Sequence, residues 1–387
     1  MYQYNKVFAA ACVTILLFGI LFLTLGSVLP TLTEKFKIDD LKKGGLVSLL
    51  PIGILVGSLI FGPVVDRFGY KILLATSIII SAIALEGLIF TNLFFVLQMC
   101  IFIIGVTGGI LNGGANTLVA DISKDDKGAN LSLLGVFFGI GALGMPFLLG
   151  ALSRFFKQPA IISVMAVLML ITVVYIFLIR FPTPKQAQGF PLKAGIKLLK
   201  EPVLLLTSFF LFFESGMEGL MNNWTTTFLE KHLLASSVNA LYALSFSVVG
   251  LTLTRLLLGA LLKKISSLFI QFLSLLLIAA GSVILIYPVS YGVALAGVFI
   301  IGAGFAAGFP VMLGYIGQLY SGLSGTAFSI ALVIALIGNS LLNYLFGIIA
   351  DRYSIGSLPV LVLACTICML ILLIVIKQKL KLKLDSE

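Results

Sequence analysis

Histidine occurs once in this chain of 387 residues, tryptophan once and cysteine four times, and only 10% of the side chains are charged. Each scarcity excludes something. The single His232 has no partner of its own kind, which rules out a histidine-based metal site. The cysteines (Cys12, Cys100, Cys365 and Cys368) all fall inside apolar runs. The Cys365-Thr-Ile-Cys368 spacing lacks the polar surroundings that redox or metal chemistry requires, so packing is the expected role of all four. Clustered His, Asp or Glu with acid–base geometry is missing too, so we expect no enzyme, no catalytic residue and no cofactor. The shortage of charge excludes a water-soluble globular domain. In its place 60% of residues are apolar and the mean hydropathy is +1.18.

A bilayer core of about 30 Å needs roughly 20 apolar residues per helical span. The charge-free runs 7–33, 44–65, 128–153, 158–179, 233–254 and 353–376 each have the length of one span. The stretch 265–350 carries no charge, but Tyr287-Pro288, Tyr291-Gly292, Gln318 and Ser321-Gly322 punctuate it as hairpin loops and leave three spans. Breaks at Thr91-Asn92 and 121–127 divide the early part in the same way, for a total of twelve. The first run is too long for a signal peptide and no small-residue cleavage site follows it closely, so it is expected to be span one. Sorting Lys and Arg by alternate loops puts roughly two-thirds on the side of the termini, which places both termini in the cytoplasm. The net charge of +10 is then mostly topology signal and lipid-facing charge, as in the Lys377, Lys379, Lys381, Lys383 tail, and no nucleic-acid partner is expected.

The longest internal polar segment, 181–201, holds Pro182, Pro184 and Pro191 with Lys185, Lys193, Lys197 and Lys200. It is expected to be a cytoplasmic linker lying on the membrane between a six-helix bundle at 1–180 and a second at 202–387. The halves share features at one offset of 197 residues: Gly19 and Gly216, Gly62 and Gly259, Gly105 and Gly302, Arg154 and Asp351. A duplicated bundle predicts such a common offset along its whole length.

Between spans two and three stands Gly62-Pro-Val-Val-Asp66-Arg67-Phe-Gly69-Tyr-Lys71. This resembles the signature loop of the major facilitator superfamily, and the resemblance implies an all-α membrane protein of twelve transmembrane helices in two six-helix pseudo-repeats. In that reading Gly62, Asp66, Arg67, Gly69 and Lys71 form a cytoplasmic gate. Gly62 permits close helix approach, Asp66 meets a helix N-terminus of the facing half, and Arg67 and Lys71 pair across the seam. Three further segments are similar to the fucose–glucose–proton symporter group and related sugar transporters. They are Leu25-Gly-Ser-Val-Leu-Pro30, Asn112-Gly-Gly-Ala-Asn116 in span four, and Glu214-Ser-Gly-Met-Glu218 with Asn222-Asn223-Trp224 in span seven. One departure is that spans one and four carry no carboxylate within the membrane, where fucose permeases have them.

Charged groups at membrane depth are costly and mark pathways or relays. Glu214 and Glu218 lie near the middle of span seven on one helical face, with Asn222 and Thr226 continuing the stripe. Two carboxylates about 6 Å apart in a low dielectric titrate as a coupled pair, which makes them the proton-coupling candidates. The alternatives are a neutral Glu hydrogen-bonded to a neighbouring helix, or a Glu paired with Arg255 of span eight. Sugar recognition needs several hydrogen-bonding groups and a flat apolar surface. Asn112, Asn116, Glu218, Asn222, Asn223, Asn339 and Asn343 are candidates for the first and Trp224 for the second. The competing roles are helix–helix contacts for the asparagines and interfacial anchoring for Trp224. On a straight helix Asn223 and Trp224 point away from the Glu stripe, so joint use requires span seven to bend or unwind near 216–219.

These readings predict a monomeric secondary active transporter in the cytoplasmic membrane, with the lipid bilayer and a small-molecule substrate as its partners. The substrate expected is a neutral hexose-like sugar moved by proton symport, the transmembrane proton gradient supplying the energy and sodium remaining an alternative coupling ion. A proton-coupled exporter of cationic or lipophilic drugs is the second possibility. The Gly139-Ile-Gly141-Ala-Leu-Gly144-Met-Pro146 run in span five favours it, and the absence of an arginine in span four opposes it.

Overall fold

The computed structural model describes residues 3–123, 127–182, 198–262, 264–288, 290–320 and 324–384, all helix and connecting turns. Among the described residues twelve helical segments are long and apolar enough to cross a membrane. In chain order they are Tyr4–Phe36, Asp40–Phe61, Phe68–Phe90, Phe94–Val119, Leu133–Leu152, Gln158–Leu178, Pro202–His232, Ser237–Leu258, Ser267–Ile286, Tyr291–Ile316, Ile330–Arg352 and Ile355–Lys379. They are called spans one to twelve below. The run 233–254 expected as span eight shifts accordingly, because span seven keeps its helix as far as His232. Most of the stretch expected as the linker, 183–197, lies outside the described residues.

Helix is the form these runs must take, since a segment without water has to satisfy every backbone N–H and C=O within itself. The same rule governs the hydroxyls inside them. Thr14 donates to the Ala10 carbonyl at 2.7 Å, Thr24 to Ile20 at 2.6 Å, Ser27 to Leu23 at 2.7 Å and Ser282 to Ile278 at 2.7 Å. Each returns its proton to its own helix one turn back. At the ends, polar caps take over: the Asp39 carboxylate accepts from the Lys42 N–H at 2.7 Å, and Lys35 donates to the Ile89 and Thr91 carbonyls that close span three. Large apolar side chains such as Ile83, Phe95, Ile171, Leu257, Phe272 and Ile374 are exposed, the pattern of a surface that faces hydrocarbon.

The chain divides into two compact units, Met1–Gln188 with Ser236–Ser245, and Gly189–Ala235 with Phe246–Glu387. Their internal packing repeats at the 197-residue offset. In the first unit Gly53 lies against the Phe102 carbonyl and Gly105 against the Leu50 carbonyl. In the second, Gly250 lies against the Phe299 carbonyl and Gly302 against the Ser247 carbonyl, the same two contacts moved by the offset. A Cβ at any of the four would collide with backbone, so the glycines are required by the helix approach itself.

Candidate functional site

Span seven begins with Pro202 at its first position, where the missing N–H costs nothing, and runs as one helix to His232. The unwinding near 216–219 that joint use of both faces would call for is not there. Gly216 and Gly219 serve another purpose: an added Cβ on Gly216 would strike Leu342, and one on Gly219 would strike the Asn339 amide. The two glycines therefore let span eleven lie close along span seven, and Gly338 returns the fit against the Phe212 carbonyl. Close approach, rather than unwinding, is the reason for this glycine pattern.

That approach brings five polar residues into one chain of hydrogen bonds. Asn339 donates to the Ser215 carbonyl at 2.7 Å and to its hydroxyl at 3.3 Å. Asn343 donates to the Asn339 carbonyl at 2.8 Å and to its side-chain oxygen at 3.1 Å. The Asn343 Oδ1 in turn accepts from Asn223 Nδ2 at 3.2 Å and from Trp224 Nε1 at 3.1 Å. Trp224 is 0% exposed and its ring stands edge-on to Phe346, 4.8 Å between centroids. It is thus an interior residue, away from any lipid interface. Asn223, Trp224, Asn339 and Asn343 are brought together, with their polar edges directed at one another.

Glu214 and Glu218 occupy the other face of span seven. Glu214 is 0% exposed and neither carboxylate oxygen has a hydrogen-bond partner among the described residues, whereas Glu218 one turn on is only partly buried. The charged neighbours acting on Glu214 are Glu218 and Arg255, and Arg255 also acts on Glu218. Arg255 is half-buried and its Nε is unpartnered among the described residues, so the guanidinium acts on the two carboxylates through its charge, without an ion pair to Glu214. With both carboxylates ionised the three groups would sum to one negative charge in a low dielectric, an arrangement that one proton or one monovalent cation neutralises. Asn222 and Thr226, next along the stripe, are buried.

Span ten supplies a feature that sequence reasoning missed. Its helix stops at Gly304, turns through 305–307 and restarts as Gly308–Leu319. Gly308, the first residue after the break, lies against the Glu214 carboxylate, where a Cβ would collide with the carboxyl group. The signal was present in Gly302-Ala-Gly304-Phe-Ala-Ala-Gly308-Phe-Pro310, which combines three glycines with a proline at a helix start.

In the first unit Asn112 and Asn116 are half-buried, with Asn116 Nδ2 donating to the Asn112 carbonyl at 2.9 Å and to its Oδ1 at 3.0 Å. The glycines around them seat neighbouring spans: Gly109 meets the Ile54 carbonyl, Gly113 the Phe61 ring and Gly114 Leu74. Span five keeps Pro146 inside its helix, and Gly141 packs on the Leu16 carbonyl, a packing role. Glu86 accepts from Ser163 Oγ at 2.9 Å, a link between spans three and six.

Of the gate residues, Gly69 makes the turn between spans two and three with φ 76°, a conformation that requires glycine. Lys71 donates to the Phe177 carbonyl at 2.8 Å and to the Ile179 carbonyl at 3.2 Å, with its ammonium over the Phe177 ring. In this conformation it caps the end of span six within its own unit, which corrects the expectation that it pairs across the seam. Tyr70, not singled out from sequence, donates to Asp121 Oδ2 at 2.7 Å. The backbone of Gly62, Asp66 and Arg67 is helical, and their side chains lie outside the described residues. Among the described residues no group of His, Cys, Asp or Glu could hold a metal ion, and the four cysteines are free.

A family model described as Major Facilitator Superfamily matches residues 8–342. The glucose/mannose transporter GlcP of Bacillus subtilis (strain 168) is 23% identical over 346 residues, 85% of this chain and 84% of that protein. The niacin transporter NiaP of Acinetobacter baylyi is 31% identical over 134 residues, 34% of this chain, and the match spans only 29% of NiaP. Among solved structures, a variant of the nucleoside transporter NupG superposes with a TM-score of 0.81 at 17% identity, covering 96% of this chain and 99% of that one. The D-xylose-proton symporter superposes with a TM-score of 0.78 at 16% identity, covering 95% and 97%.

Proposed function

Because the chain belongs to the Major Facilitator Superfamily, a family of multi-pass membrane transporters, we propose that this secondary transporter carries a neutral hexose-like monosaccharide in symport with protons. The observation that carries the coupling half of this reading is the Glu214, Glu218 and Arg255 group. One fully enclosed carboxylate lies a turn away from a second that is partly accessible, with Arg255 as the cation that acts on both among the described residues. Such a group changes its net charge by one when a proton is taken up, and a single buried charge is what an alternating-access cycle must neutralise before it can reorient.

Sugar as the substrate class is supported by the glucose/mannose relative, which aligns over most of both chains. It is supported also by the amide pair Asn112 and Asn116, whose part-exposed edges suit ring hydroxyls. Asn223, Trp224, Asn339 and Asn343 hold span eleven to span seven. That contact supports a structural role for these four, and Asn112, Asn116, Glu218 and Asn222 remain the candidates for binding. The bacterial relatives support a cytoplasmic-membrane location, and the positive-inside count supports cytoplasmic termini.

The test is uptake into proteoliposomes of labelled hexoses and cationic dyes, with and without an imposed pH gradient. Hexose accumulation that collapses with the gradient and fails in Glu214→Gln supports the reading. Hexose uptake indifferent to the gradient, or wild-type coupling in both Glu214→Gln and Glu218→Gln, removes the proton assignment. Dye export driven by the gradient without hexose uptake turns the reading to a drug exporter.

A further inference from the structure

Three orphan groups meet at the break in span ten. Glu214 is fully enclosed with both carboxylate oxygens unpartnered among the described residues. Beside it begins the half-helix Gly308–Leu319, whose first turn cannot satisfy its own N–H groups. Those of Gly308 and Phe309 make no backbone hydrogen bond among the described residues, and Pro310 has no N–H to offer. Buried acceptors without donors and buried donors without acceptors are each costly. Here they are neighbours, because Gly308 lies directly against the carboxyl group.

We propose that Gly308 is a positioning residue for Glu214: its missing side chain seats the carboxylate against the break in span ten, where the free N–H groups of Gly308 and Phe309 take it up when it is ionised. A protonated carboxyl has less to gain from those donors and leaves the half-helix start free to move; an ionised one ties span seven to span ten. Span ten is thereby the element that senses the charge on Glu214. The other charges acting on Glu214 are Glu218 on its own helix and Arg255 on span eight. Spans eleven and twelve pack Asn339 and Thr366 against span seven, neither of which ionises, and the phenol of Tyr315 lies two turns along the half-helix. The inference rests on Glu214 being the coupling group, but its test does not depend on the substrate.

The experiment is carbodiimide labelling of the purified full-length protein across a pH series, read by peptide mass spectrometry at Glu214 and at Glu218. N,N′-dicyclohexylcarbodiimide reacts with protonated carboxyls in apolar surroundings. Gly308→Ala displaces the carboxylate from its seat, so labelling of Glu214 is expected to persist to a pH at least one unit higher than in the wild type. The Glu218 profile should stay where it was. Glu214→Asp, one methylene shorter, makes room for the new Cβ, so Gly308→Ala/Glu214→Asp should return toward the profile of Glu214→Asp alone. Should Gly308→Ala unfold, the single variant Glu214→Asp serves instead, since a carboxyl withdrawn from the same donors must also label to higher pH. An unchanged labelling profile in Gly308→Ala, a shift shared equally by Glu218, or a double variant that labels to still higher pH than Glu214→Asp alone overturns the proposal. Failure of hexose uptake to follow a pH gradient is a separate result and bears only on the substrate reading.

Discussion

Replacing Asn343 with alanine separates a helix-joining amide from a substrate ligand. Asn343 is fully enclosed, and its single side-chain oxygen accepts from both Trp224 Nε1 and Asn223 Nδ2. Asn343→Ala removes the acceptor that both donors share. In water-soluble proteins each stranded donor would cost about 1–3 kcal/mol. Within a membrane the unfolded reference finds partners too, and interhelical hydrogen bonds average about 0.6 and reach about 1.7 kcal/mol. Two such bonds therefore predict a loss of about 1–3 kcal/mol. Trp224→Phe keeps the ring against Phe346 and removes one donor, for about half of that. The double variant should lose less than the sum, since both changes delete the same Trp224–Asn343 bond. The assay is reversible unfolding of the detergent-solubilised protein, run beside transport kinetics. Asn343→Ala should be less stable while the KM of its remaining transport stays within about twofold. Wild-type stability with a KM raised tenfold or more would refute the reasoning and return Asn343 to the binding site.

Four other outcomes follow from the same geometry. Glu214→Gln should lose gradient-driven accumulation by at least tenfold yet keep substrate exchange, as measured by counterflow in proteoliposomes. Gly105→Ala and Gly302→Ala press a methyl onto matched carbonyls in the two units and should each cost about 1–3 kcal/mol, the range for overpacking, in an unfolding series. If only one of the pair is destabilised, the packing repeat is not equivalent. Lys71→Met removes the cap on span six and should cost about 0.3–1 kcal/mol without changing which sugar is carried, the latter checked by competition uptake. Asn116→Ala leaves its helix intact and should raise the hexose KM several-fold at unchanged thermal stability, which a purely structural amide would not do.

The signature loop and the spans were legible because each is written along the chain. Gly69 is the clearest case, a turn glycine recognisable from its neighbours and found with φ 76°. The 197-residue offset was visible in a few glycines, and for Gly105 and Gly302 the structure gives the reason: each lies against a backbone carbonyl of the neighbouring helix. The site was less legible. Asn223 and Asn343 look alike as candidate sugar ligands, and only the position of span eleven shows that they face each other. Lys71 suggested a contact across the seam, but the nearest uncapped carbonyls are those ending span six. The break in span ten sat in a glycine-rich run that hydropathy scores as one continuous span.

Sequence by itself determined that this protein lives in a bilayer, crosses it twelve times and is built from two like halves. Those properties depend on how many apolar residues follow one another and how often a pattern recurs, and both can be counted in one dimension. Tertiary structure decided which polar groups join helices and which are left unsatisfied. The neighbour of a buried amide or carboxylate comes from a different helix, more than a hundred residues from Asn223 to Asn343 and nearly as far from Glu214 to Gly308. The chain's own pattern says nothing about that meeting until the helices have packed.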